Sequence, residues 1–132
     1  MSDVWEDAWE TIGAAFQRLA ESLRSALPAL SCSAGHSDNS AFPFRAYAAF
    51  TGGIDEDVVV SVDFQRVEGG LRYAADIALD DGHVLDDGPT GIIHIGAGLQ
   101  SASGEIDAVV DDIVLFIQAS EPVIRSRVDS AH

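Results

Sequence analysis

Lysine is missing from this 132-residue sequence. Its seven basic residues are all arginine and stand against 22 acidic ones, leaving a net charge of −15. Binding to nucleic acid or to an anionic membrane surface depends on Lys and Arg neutralising phosphate, so the composition argues against both partners. Solubility and attraction to basic protein surfaces remain as consequences of the acidity. Cysteine occurs once, as Cys32, so no internal disulfide can form and a reducing compartment is expected. No apolar run comes near the roughly 20 residues that a bilayer-spanning helix requires. The opening Met1-Ser2-Asp3-Val4-Trp5-Glu6 is acidic where a secretory leader is basic and then apolar. A cytoplasmic protein is the expectation. Proline is sparse, and no linker is long enough to separate domains, which predicts a single domain over 1–132.

What is present is a clear two-residue alternation. Val58, Val60, Val62 and Phe64 are apolar, with Ser61, Asp63 and Gln65 among the residues between them. After Glu68-Gly69-Gly70 the alternation restarts as Leu71, Tyr73, Ala75, Ile77 and Leu79, with Arg72, Ala74, Asp76 and Ala78 facing the other way. Two such runs joined by a Gly-containing turn predict a β-hairpin with one buried and one wetter face. Val60, Val62, Tyr73 and Ile77 are its expected core residues.

The flanking segments have the period of helices. Trp5, Trp9, Ile12, Phe16, Leu19, Leu23 and Ala26 recur at alternating spacings of four and three, one apolar stripe ended by Pro28. Docking on a sheet is the expected use of that stripe, with a coiled-coil seam as the alternative. Near the other end Ile106, Val109, Val110, Ile113, Phe116 and Ile117 share a face over Glu105 to Ala119, with Ser103 as N-cap. Glu121-Pro122 is expected to break or kink that helix before a short final turn or second helix. Ser31 to Ser40 reads as a loop and Phe42 to Phe50 as a strand. Val84-Leu85 extends the ladder briefly until Asp86-Asp87-Gly88-Pro89 breaks it, and Ile92 to Ile95 forms one more strand. The sum is an α+β domain: N-terminal amphipathic helix, antiparallel meander of three to four strands and C-terminal helix, with both helices on one sheet face.

Candidate chemistry is thin. Ile92 to Ile95 followed by Gly96-Ala97-Gly98-Leu99-Gln100-Ser101 has the glycine spacing that lets a backbone approach a pyrophosphate. Such a site needs a βαβ unit with a following parallel strand, and only Glu121 to His132 remain after the helix, so a strand-to-helix connector is expected. Asp80, Asp81, His83, Asp86 and Asp87 are the densest group of ligating side chains. Their spacing does not follow an EF-hand, and two solvated Asp-Gly turns explain them. Cys32 and His36 sit in a polar stretch without a sign of an oxyanion site. No metal, cofactor or catalytic centre is expected, and the protein is not read as an enzyme. A small enzyme or ligand- or metal-binding domain built on the Asp80–Asp87 loop or the Gly96–Gly98 connector remains the alternative, as does mimicry of DNA charge. Leu115 falls beside Asp111 and Asp112 on the outer side of its helix and is expected to be exposed. Together with Asp80, Asp81, His83, Asp86 and Asp87 it forms the expected partner-binding set.

The amphipathic segment Trp5 to Leu27, the strands Val58 to Phe64 and Leu71 to Leu79, and the helix Glu105 to Ala119 give an order that resembles the small acidic chaperone-like domains of type III secretion. The same features are similar in character to bacterial toxin-immunity proteins. The resemblance covers most of the chain without a diagnostic motif, and it implies a bacterial protein, monomer or homodimer, that holds or neutralises a partner with a basic surface.

Overall fold

Helix α1 (Val4–Ala26) leads into five strands, β1 (Ser31–His36), β2 (Phe44–Thr51), β3 (Val58–Val67), β4 (Gly70–Leu79) and β5 (Val84–His94), and helix α2 (Ser103–Asp129) follows. The computed structural model describes residues 4–27, 30–36, 44–51, 57–79, 82–94 and 103–129. Each strand pairs antiparallel with the next, in the spatial order β1-β2-β3-β4-β5. The result is an α+β fold in which the hairpin β3–β4 lies inside the sheet rather than at its edge.

The two-residue alternation becomes the two faces of this sheet. Val58, Val60, Val62 and Phe64 on β3 are buried, as are Leu71, Ala75, Ile77 and Leu79 on β4. Tyr73 is half-buried, and its ring lies over Gly91 of β5, where a Cβ would come within 2.7 Å of the hydroxyl. The hairpin turns at Glu68-Gly69, with Gly69 at φ +77°, a left-handed conformation that favours glycine. Both helices cover the face that these residues define. α1 contributes Ile12, Phe16, Leu19 and Leu23, with Ala8, Ala15 and Ala20 beside the stripe. α2 contributes Ile106, Val109, Val110, Ile113 and Ile117. The two helices also pack on one another, tied by the Ser22 hydroxyl donating to Glu121 Oε1 at 2.6 Å.

Four expectations need correction. Ser31–His36 is an edge strand rather than loop, paired along its whole length with Ala46–Thr51. Its Ser-Cys-Ser-Ala-Gly sequence has no apolar alternation, and pairing with β2 imposes the extended conformation. Asp86-Asp87-Gly88-Pro89 does not break the ladder, since β5 runs continuously from Val84 to His94 and absorbs the Ile92 segment. An edge strand needs partners on one side only, so a proline can be accommodated, and register shifts between Ala74/Asp76 and Ile77/Ala78 take up the irregularity. Among the described residues the strand count is therefore five. Finally, α2 continues through Pro122 to Asp129. An interior proline costs a helix about 3 kcal/mol. Burial of Ile124, packing of Val123 and the Ser22–Glu121 hydrogen bond hold the distal turns in place. On α1, Ala26 ends exposed, and the Trp5 side chain lies outside the described residues.

Candidate partner-binding face

Because both helices use one face of the sheet, the other is left without a helical cover among the described residues. The outward positions of β2, β3, β4 and β5 line up across the strands. Val59 pairs with Ala78 and Ala78 with Val84; Tyr47 pairs with Ser61, Ser61 with Asp76, and Asp76 with Asp87; Arg45 pairs with Asp63 and Arg72 with Ile92. Ser61 and Ala78 are the small side chains among them, and they leave the middle of this face low. Tyr47, Val84 and Ile92 are its exposed large apolar side chains, with 37%, 45% and 45% of their surface exposed, and the Tyr47 ring lies over Gly35 of β1.

Three carboxylates occupy the centre. Asp63, Asp76 and Asp87 come from three consecutive strands, and neighbouring strands lie about 4.8 Å apart. Ser61 is buried beneath them, and its hydroxyl donates to Asp76 Oδ1 at 3.1 Å. Arg45 Nε stands 3.7 Å from Asp63 Oδ1, with both side chains about half exposed. Burial pushes the Asp63 carboxyl above its ordinary value. Arg45 pulls it back in part, and the neighbouring Asp76 charge pushes it up again. Arg45 therefore does not fully offset the cost of an ionised Asp63. Beside these groups a depression of about 430 Å³ opens, walled by Val59, Ala78 and Val84.

The sequence-predicted set divides across the molecule. His83, Asp86 and Asp87 are exposed at the start of β5, and Asp87 joins the central carboxylates through its pairing with Asp76. Leu115 is 62% exposed, but it sits on α2, on the covered side of the sheet, and so belongs to a different surface. Asp80 and Asp81 lie outside the described residues, as does the Gly96–Gly98 connector. The alternation had already assigned Ser61, Asp63 and Asp76 to the outward face, yet neither Asp63 nor Asp76 stood out among 22 acidic residues. Only the register brings them beside Asp87.

Cys32 and His94 take structural places. Cys32 is a half-buried free thiol, with Arg24 Nη2 3.4 Å from its sulfur and 3.5 Å from its carbonyl oxygen. His94 is exposed at the end of β5. Its backbone N–H donates to Glu105 Oε2 at 3.0 Å and its Nδ1 lies 3.7 Å from Oε1, tying the strand to the first turn of α2. Among the described residues no three His, Cys, Asp or Glu side chains converge as metal ligands do, and no helix is long and apolar enough to cross a membrane. Comparison with family models, with curated proteins and with solved structures yields no match to this chain.

Proposed function

We propose that the protein is a non-catalytic binding module that receives a basic segment of a partner protein on the helix-free face of its sheet. The observation that carries this reading is the group Asp63, Asp76 and Asp87 on three adjacent strands, with Asp76 opposite Asp87 and diagonal to Asp63, beside the exposed Tyr47, Val84 and Ile92. An acidic centre with apolar flanks matches a guanidinium or ammonium on an otherwise apolar segment. The partially desolvated Asp63 carries negative charge at a cost, and an incoming cation lowers that cost. The long-range field of a chain with charge −15 accelerates the encounter, an effect that salt weakens beyond a Debye length of about 8 Å at physiological ionic strength. Holding a partner in the manner of a chaperone and neutralising it in the manner of an immunity protein both use such a face.

The test compares two variants of equal charge. In the first, Asp63, Asp76 and Asp87 become Asn. In the second, the exposed Asp111 and Asp112 of α2 and Asp107 become Asn, which removes the same charge from the helical side. Partners captured from the native cell by the wild-type protein are identified by mass spectrometry, and their association rates are then measured with each variant. The sheet-face variant is expected to associate more slowly with a flatter salt dependence, while the helix-face variant keeps the wild-type profile. Equal losses in both would reduce the effect to net charge, and recognition by this face would be rejected.

A further inference from the structure

Above β1 the helical cover of the sheet stops short. Cys32 and Ala34 pair with Phe50 and Ala48 and face the same side as they do. Phe50 and Ala48 are fully buried, whereas Cys32 is half-buried and Ala34 is exposed. Between these two residues and α1 lies a groove of about 370 Å³, within the range of small-molecule pockets. It follows α1 for about four turns, from Trp9 to Arg24. Phe16, Ala20 and Ala46 complete its apolar wall. Gly13, also in the lining, is a poor helix former, and a Cβ there would meet nothing within 4 Å. Packing within the chain therefore does not call for this glycine. The lining contains no carboxylate, although the chain carries 22 acidic residues, and its one formal charge is Arg24. The Arg24 guanidinium rests on Cys32 through Nη2 alone, 3.4 Å from the sulfur and 3.5 Å from the carbonyl oxygen. Among the described residues no carboxylate forms an ion pair with it.

We propose that this groove binds a linear apolar carboxylate, a small molecule of the fatty-acid class. Its tail lies between α1 and β1 and its carboxylate meets Arg24. Shape, polarity and charge each select this occupant. A groove that is long and open along one side keeps contact with an extended chain throughout its length. Each methylene that leaves water against Trp9, Phe16 and the three alanines favours binding. Polarity is confined to one end, where Arg24 still has Nε and Nη1 to donate. A carboxylate accepts from two guanidinium donors at once. Charge then sets the valence of the ligand. The chain's net charge of −15 opposes every anion, so a single negative charge on one guanidinium is the best match. A phosphate monoester would gain the same guanidinium against about twice the repulsion. A cationic ligand finds no carboxylate in the lining to receive it.

Decanoate, 1-decanol and decylammonium share one tail and differ in charge, so they test the proposal on the full chain. Titration calorimetry is expected to rank decanoate first, decanol second and decylammonium last. Adsorption driven by net charge would put the ammonium ahead of the carboxylate. Amide shifts in NMR spectra with decanoate should cluster on residues 9–24 and 32–35. Arg24→Gln should raise the decanoate dissociation constant about 10-fold and leave that of decanol unchanged. A purely structural loss of the Arg24–Cys32 contact would weaken both ligands alike. Gly13→Leu fills the groove from a position with room for it, and it should weaken both about 10-fold while the circular dichroism spectrum is unchanged. The site stands apart from the proposed function. Replacing Asp63, Asp76 and Asp87 with Asn should leave decanoate binding intact, so either reading can fail without the other. Three results would each overturn the proposal: no decanoate binding at roughly 1 mM, decylammonium ahead of decanoate, or wild-type affinity in Arg24→Gln.

Discussion

Strand β3 has two faces, and they are held by different physics. On the covered side Val58, Val60, Val62 and Phe64 have at most 1% of their surface exposed and belong to one continuous core with residues of both helices. On the other side Ser61, Asp63 and Gln65 run from buried to exposed within five residues, and no helix meets them among the described residues. Hydrophobic burial on the first face is large and involves no group that ionises. The second face gains little by burial and holds its hydrogen bonds and charges close to water, where binding energy can still be gained. One strand thus serves stability with its even positions and, under the proposed function, recognition with its odd ones.

The largest test of this contrast removes the cover itself. A chain beginning at Leu30 lacks Ile12, Phe16, Leu19 and Leu23, and it should show no cooperative unfolding transition by circular dichroism. A soluble, folded product would make α1 an appendage. Within the intact chain, Phe64→Ala should cost about 3–5 kcal/mol and Val62→Ala about 2 kcal/mol, from lost burial and the cavity left behind. Chemical denaturation measures both, and an unchanged midpoint in either would refute the assignment of faces.

On the outward face the effects shrink. Ser61→Ala should cost about 1 kcal/mol, because Asp76 loses a hydrogen bond in a partly buried place. Asp63 provides a pH signature. Its carboxyl is raised in the folded chain, so the folded state holds the proton more tightly than the unfolded state does. Its contribution to stability is therefore greatest below the unfolded value of about 3.9 and declines as pH rises through the raised folded value. Relative to Asp63→Asn, the wild type should lose stability across that window and then level off. A wild type that gains relative to the variant would show that pairing with Arg45 outweighs burial. The smallest effect belongs to the start of β5. Replacing Asp80, Asp81, Asp86 and Asp87 together with Asn should shift Tm by less than about 2 °C while slowing association with a basic partner. Unfolding of that variant would assign these residues a structural task instead.

Leu115 shows where reading by pattern works without giving function. Its position off the apolar stripe of α2 predicted exposure, and it is exposed, yet nothing in the pattern could say that it would stand across the sheet from Asp87. Apart from Leu115, the expected binding set grouped residues that are close in sequence. The carboxylate row groups residues that are close through pairing.

The alternation of β3 and β4, the turn at Gly69 and the stripes of both helices were all legible along the chain, because each depends on local geometry with a short period. The remaining features arise from contacts between distant segments. β1 is a strand because β2 supplies hydrogen bonds to a segment without its own pattern. β5 stays whole through Gly88-Pro89 because it lies at an edge, and α2 passes Pro122 because Ile124 is buried beyond it. Asp63, Asp76 and Asp87 become neighbours only when antiparallel register sets three strands side by side. Register follows from which residues the two helices can bury together, a long-range condition that no short window of sequence contains.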